Sequence, residues 1–230
     1  MVNSSINLCF KLNGVVGPSI NIKGKKLGNK IDSYDVVVRL GQIYEQPESS
    51  FEDYGSRTDI IAYSFNDLQK REFMANISKT PKAFILIPMV GAHETPSMNR
   101  FIDNLSKNLG YKLHKPDDKV IESMWHDIGT TCSSGFLGIK LLLYYNIKSM
   151  FITGVDFYNM GQYGKVYRED YLNNNCKGVM GVKTDGNLKG FQLRSDLHGQ
   201  SHQIAHFRKL VKHYGDKIEL DDFLTQNFRK

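Results

Sequence analysis

The sequence predicts an α/β fold built on a doubly wound, mainly parallel sheet. Two observations lead there. Short runs rich in β-branched residues are apolar almost throughout, as strands buried on both faces must be. These runs alternate with helix-like or polar segments along the 230 residues, the order that lays helices over both faces of one sheet. Composition agrees: 40% hydrophobic and 23% charged residues suit a single globular domain over 1–230 with a generous core.

The elements follow in order. GVVG (14–17), DVVVRL (35–40), TDIIAY (58–63) and AFILIPM (83–89) read as four buried strands. PSMNRFIDNLSKNLG (96–110) puts Met98, Phe101, Ile102, Leu105 and Leu109 at helical spacing, with Gly110 as the C-cap. In TTCSSGFLGIKLLLYY, Ser133 or Ser134 can cap a helix over roughly 135–145. SMFITGVDF (149–157) reads as a further buried strand. The stretch from 159 to about 195 is polar, rich in Gly and Asn, and reads as a lid loop, since loops that long are usually functional. A histidine-bearing helix within 196–214 and a last strand, KIEL (217–220), complete the chain. Ligands of such sheets sit at the carboxyl ends of the strands near a switch in strand order. That draws Gly17-Pro18-Ser19, Gly154 to Tyr158 and the 130–135 turn toward one crevice.

The bulk numbers narrow the function. Lys+Arg exceed Asp+Glu, giving a net charge of +6, which favours anionic partners such as nucleotide phosphates, acidic glycans or a membrane surface. The basic residues are scattered or in short clusters such as KGKK (23–26), not in an aromatic-interleaved stripe, so nucleic acid is not the expected partner. Three cysteines, Cys9, Cys132 and Cys176, are odd in number and lack ligand spacing, which reads as reduced thiols. No apolar run approaches the roughly 20 residues that span a bilayer, and the first residues are not a secretory signal. The expectation is a cytoplasmic protein, or a soluble domain trimmed from a membrane-anchored enzyme.

The stretch DLHGQSHQIAHFRKLVKHY (196–214) carries His198, His202, His206 and His213. His202 and His206 are four apart and share a helix face, yet a metal site needs further ligands, and Gln203 stands where a metalloprotease motif has glutamate. These two and His213 read as surface or lightly packed histidines. His198 differs, because it precedes Gly199 in the loop that feeds the helix, where a neutral imidazole could take a proton near pH 7. Asp117-Asp118 and Asp221-Asp222 read as solvated turns. Arg39 with Asp35 reads as a structural ion pair, and Arg57 with Asp59 as ordering a loop or touching substrate.

The block TTCSSGFLGIKLLLYYNIKSMFITGVDFYNMGQY followed by HGQSHQIAHFRKL resembles bacterial sialyltransferases of glycosyltransferase family 42. VVGPSINIKGKKLGNKIDSYDVVVRLG is similar to the large sialylmotif of family 29. The resemblance implies a Rossmann-type, variant GT-A fold and an inverting, metal-independent enzyme that moves sialic acid, or a related keto-sugar, from a CMP-sugar to a glycan hydroxyl. Its partners would be the nucleotide-sugar donor and a glycan or glycolipid acceptor, with no cofactor and with peripheral membrane association left open. It implies His198 as the base for the acceptor hydroxyl, and Tyr158 and Tyr163 as hydrogen-bond donors to the departing phosphate. Ser134 and Gly135 would bind an anionic group of the donor, Gly154, Asp156 and Phe157 would line the cytidine pocket, and Gly17, Pro18 and Ser19 would pass close to the nucleotide. The chemistry asks for such groups: a leaving phosphate gains charge as the attacking oxygen loses a proton, helix-start amides cradle anions, and there is no Asp-x-Asp metal motif.

The sequence departs from both families where their asparagines contact nucleotide. Those positions hold Val16 or Pro18, depending on the family aligned, and Gly41. The glutamate five residues after the family 29 base is Gln203. Two alternatives therefore stand beside the CMP-sugar reading: a transferase of the same fold with a different nucleotide sugar, and a catalytically weak nucleotide- or glycan-binding module.

Overall fold

The computed structural model describes residues 13–41, 48–65, 67–78, 80–81, 83–88, 96–129, 132–145, 147–157 and 200–228. Its strands are β1 (Asn13–Val16), β2 (Val36–Leu40), β3 (Ile60–Ala62), β4 (Phe84–Leu86), β5 (Leu113–His114), β6 (Met150–Thr153) and β7 (Ile218–Leu220). Its helices are α1 (Gly28–Asp32), α2 (Phe51–Tyr54), α3 (Asp67–Ala75), α4 (Pro96–Asp103), α5 (Asp118–Ile128), α6 (Ser134–Tyr144), α7 (Gln200–Tyr214) and α8 (Asp222–Phe228). The strands form one sheet in the order β5-β4-β3-β2-β1-β6-β7, and every pairing is parallel.

Alternation along the strands divides the core. Val15, Val38, Leu40, Ala62 and Ile152 turn to one face, under α5, α6, α7 and α8. Val16, Val37 and Phe151 turn to the other, with Ile31 of α1 and Tyr54 of α2. Ile61 and Ile85 meet Phe73 and Phe101 of α3 and α4 farther along that second face. Gly138 lets α6 lie close on the sheet, because a Cβ there would stand 3.2 Å from Ala62 Cβ and 3.3 Å from Leu40 Cδ2.

The expected strands are all present, most of them shorter than their apolar runs. The run at 149–157 differs most: β6 stops at Thr153, and Gly154 turns the chain with φ +67°. Helix α4 continues as a π turn over Asn104–Asn108, with Gly110 beyond it at φ +70°. Arg39 is not held by an ion pair to Asp35. Its guanidinium is buried and donates to the carbonyls of Tyr54, Gly55 and Arg57 at 2.6–3.0 Å. Arg57 donates to Asp59 Oδ2 at 2.9 Å, and the same oxygen takes the Val37 amide at 2.8 Å, so this pair orders the β2–β3 connection.

Candidate functional site

Strand order reverses between β1 and β6, and the chain there is built of backbone packed on backbone. Gly17 N–H donates to Thr153 O and Ser19 N–H to Gly154 O, both at 2.8 Å. A Cβ on Gly17 would fall 2.3 Å from Gly154 O, and one on Gly154 would fall 2.4 Å from Gly17 O. Only two glycines fit, and Gly154 also holds a left-handed φ. The switch point thus presents main chain where a ligand can approach closely.

Pro18 is partly exposed on this turn. Ser19 is buried and faces inward: its hydroxyl accepts from the Asn21 amide at 3.3 Å, and its carbonyl takes the Tyr54 hydroxyl at 2.6 Å. Asn21 was not singled out from sequence. It is buried beside the crevice, with Nδ2 3.5 Å from Val155 O across the switch point. Its Oδ1 is buried with no hydrogen-bond partner among the described residues. An orphaned buried acceptor costs roughly 1–3 kcal/mol, and a ligand donor would relieve it. Val16 and Gly41 stand very differently. Val16 is fully buried among Ile22, Ile31 and Phe151, whereas Gly41, at φ +71°, has nothing among the described residues within 4 Å of where a side chain would begin.

The second part of the site is the start of α6. Ser133, not Ser134, is its N-cap, accepting from Phe136 N–H at 3.2 Å. That leaves Ser134 and Gly135, both partly exposed, in the first turn, whose amides have no acceptor within the helix. The helix dipole makes such a turn favourable to an anion. Gln203 fastens α7 to this turn: its side chain is fully buried, and Oε1 accepts from both the Ser133 amide and the Ser133 hydroxyl at 3.1 Å.

The third part follows β6. Asp156 is buried. Phe157 takes φ +52°, rare for a bulky residue, and its ring packs on Phe136 of α6 at 5.6 Å and on Phe207 of α7 and Phe228 of α8 at 5.2 Å each. Phe157 therefore offers a crevice only its backbone, and its ring joins the β6 turn to the α6 start from below. Gly17–Ser19, Ser134–Gly135 and Gly154–Phe157 are thus tied into one region at the carboxyl ends of β1 and β6. Tyr158, Tyr163, His198 and the expected lid at 159–195 lie outside the described residues.

The remaining histidines of α7 divide. His202 and His213 are exposed, as expected, but His206 is not lightly packed. It is buried, with Nε2 3.0 Å from Lys140 Nζ. Nor are the acidic pairs merely solvated turns. Asp117 caps α5 through the Lys119 amide at 2.8 Å, and Asp221 caps α8 through the Leu224 amide at 2.8 Å while accepting from Thr153 Oγ1 at 2.6 Å. Among the described residues no group of three or more His, Cys, Asp or Glu side chains could hold a metal ion, and no helix is long and apolar enough to cross a membrane.

A parallel sheet whose glycine turns meet at the switch point defines a class of nucleotide-binding α/β folds, and comparison with known proteins narrows it. The model of glycosyltransferase family 29 (sialyltransferase) matches residues 4–116. No curated protein matches the sequence. Among solved structures, the monofunctional alpha-2,3-sialyltransferase Cst-I from Campylobacter jejuni is 17% identical, with a TM-score of 0.60 over 95% of this chain and 79% of its own. The sialyltransferase CstII from the same organism, solved with the substrate analogue CMP-3FNeuAc, is 16% identical, with a TM-score of 0.53 over 95% and 84%. A mammalian sialyltransferase in complex with Gal-beta-1-3GalNAc-ortho-nitrophenol is 16% identical, with a TM-score of 0.54 over 92% and 69%. The first half of the chain thus resembles the sialyltransferase family, and the fold as a whole is that of the solved sialyltransferases.

Proposed function

We propose that the protein is an inverting transferase that moves sialic acid, or a related keto-sugar, from a CMP-linked donor to a hydroxyl of a glycan or glycolipid, without a metal ion. The observation that carries this reading is the Gly17–Gly154 contact at the strand switch, with the open first turn of α6 tied to the same region through Phe157 and Gln203. The nucleotide lies along Gly17, Pro18 and Ser19 and against Gly154, Asp156 and the backbone of Phe157. Asn21 offers Oδ1 to a donor group of the nucleotide, in place of the asparagines missing at 16 and 41. Ser134 and Gly135 hold the anionic group of the donor.

Chemistry requires a base for the acceptor hydroxyl and support for the leaving phosphate. His198, two residues before α7 begins, is the base, and Tyr158 and Tyr163 donate hydrogen bonds to the phosphate. The chain acts as a single variant GT-A domain over 1–230, with 159–195 as a lid over the donor. The net charge of +6 suits a peripheral approach to membrane-borne acceptors.

The test is CMP release from CMP-sialic acid in excess EDTA, for the wild type and His198→Ala. Release that survives EDTA and falls about 10²–10⁴-fold in the variant is expected for loss of a general base. Near-normal release by His198→Ala sinks His198 as the base, and no release by the wild type sinks the donor assignment. Because Val16 is in the core and Gly41 has no side chain, the second reading is a transferase or binding module for another nucleotide. Tighter binding of a uridine or guanosine nucleotide than of CMP would favour it.

A further inference from the structure

A cluster of titratable side chains lies where α5, α6 and α7 meet, outside the region assigned to the donor. Lys140 sits in the middle of the most apolar helix, within GIKLLLYY, and is 7% exposed. Burying an ammonium costs several kcal/mol unless it is paired. Here it has one partner from each neighbouring helix: Asp127 Oδ2 at 2.5 Å from α5 and His206 Nε2 at 3.0 Å from α7. The two partners are themselves close, with His206 Nε2 3.4 Å from Asp127 Oδ2.

An ammonium only donates, so His206 Nε2 must accept, and the imidazole is neutral with its proton on Nδ1. Every charged group facing His206 bears on that state. Lys140 on α6 and Lys209 on α7 oppose protonation, and Asp127 on α5 favours it. The Asp127 side chain is 63% exposed while that of Lys140 is 8% exposed, so solvent screens the carboxylate more than the cation. Phe136, with its ring centroid 6.1 Å from that of His206, adds no charge. Burial first, and Lys140 second, hold His206 below the ordinary histidine range.

We propose that Lys140, His206 and Asp127 form a proton-sensitive clamp that seats α7 on α6 and α5. Lys140 is its positioning residue. Protonation of Nε2 turns an acceptor into a donor facing an ammonium and releases the seat. Gln203 is three residues before His206 on the same helix and holds the Ser133 turn, so release of α7 also loosens the start of α6. The sign follows from linkage. The unfolded chain binds the proton more readily than the folded one, so this contribution is complete above the ordinary histidine pKa and is lost as pH falls below it. The consequence for turnover rests on the donor site proposed above; the clamp itself does not.

The experiment is backbone hydrogen exchange on the full chain at about pH 7.5 and 5.0, on either side of the histidine range. Protection factors over α7 are compared with those over α4, on the opposite face of the sheet, and CMP release from CMP-sialic acid is followed on the same samples. In the wild type, α7 protection falls several-fold more than α4 protection on acidification. His206→Gln keeps an acceptor for Lys140 but cannot take a proton, so its α7 response is flat. Lys140→Met replaces the cation with an apolar chain of similar length and raises the His206 titration midpoint followed by NMR. An acid response of α7 as large in His206→Gln as in the wild type overturns the clamp, as does a midpoint that Lys140→Met leaves in place. Acid release of α7 with unchanged CMP release overturns the positioning role. A wild type that shows the exchange pattern and releases no CMP keeps the clamp and refutes the donor assignment instead.

Discussion

The two halves of the site are held by opposite means. At the β1–β6 switch, Gly17 and Gly154 press backbone on backbone. At the α6–α7 junction, side chains do the joining, through Gln203 to Ser133 and Lys140 to His206. Backbone contacts of the first kind have no rotamers and no titration, so they fix a position and tolerate nothing. The second kind can be adjusted by substitution and by protons. The transfer proposed above needs both: a fixed floor for the donor, and a wall that can settle around it.

The largest expected effect tests the floor. Gly17→Ala places a Cβ 2.3 Å from a carbonyl oxygen that belongs to backbone and cannot swing away. A loss of roughly 3 kcal/mol or more is expected, read as a lower urea midpoint; wild-type stability would erase the contrast. The wall should yield less. Gln203→Ala leaves the Ser133 amide without its acceptor in a part-buried setting, at an expected cost of about 1–3 kcal/mol. Gln203→Glu should not restore it, since a carboxylate is disfavoured at a fully buried position. The smallest effect sharpens the comparison. Gly41→Asn adds a side chain that meets none of the described residues, at φ +71°, a conformation asparagine tolerates. Stability should change by no more than about 0.5 kcal/mol, while CMP binding measured by titration calorimetry tightens. Unchanged CMP affinity would remove Gly41 from the nucleotide site.

Legibility in the sequence followed the same division. The short β-branched runs announced five strands because both faces of a parallel sheet are buried, and KIEL gave a sixth. β5 gave no such signal, being a two-residue edge strand only partly buried. Helix α5 did carry readable signs, Asp117 as N-cap and Gly129 as a left-handed C-cap, within a segment otherwise too polar to stand out. Gly154 read as part of a strand over 149–157, and its contact with Gly17 joins residues far apart in the chain, so it could not be read from either one. Gln203 looked like a loss of charge and proved to be an acceptor for a residue 70 positions away. Lys140 was visibly out of place in an apolar helix, yet its partners lie 13 and 66 positions off. Side chains whose role is set by a distant partner carry no local signature.

The strand order has one more consequence. Chain up to His114 builds β1 through β5, one wing of the sheet, and chain from Met150 onward builds β6 and β7, the other. Within the sheet the two wings pair along β1 and β6, and the donor site proposed above lies at the end of that seam. A molecule bound there grips both wings at once, so it acts as a rivet as well as a substrate. By mass action it should raise the resistance of the whole sheet to unfolding by RT ln(1 + [L]/Kd), in proportion to how well it fits both sides. Candidate donors can then be ranked by the melting temperature they confer, before any acceptor is known.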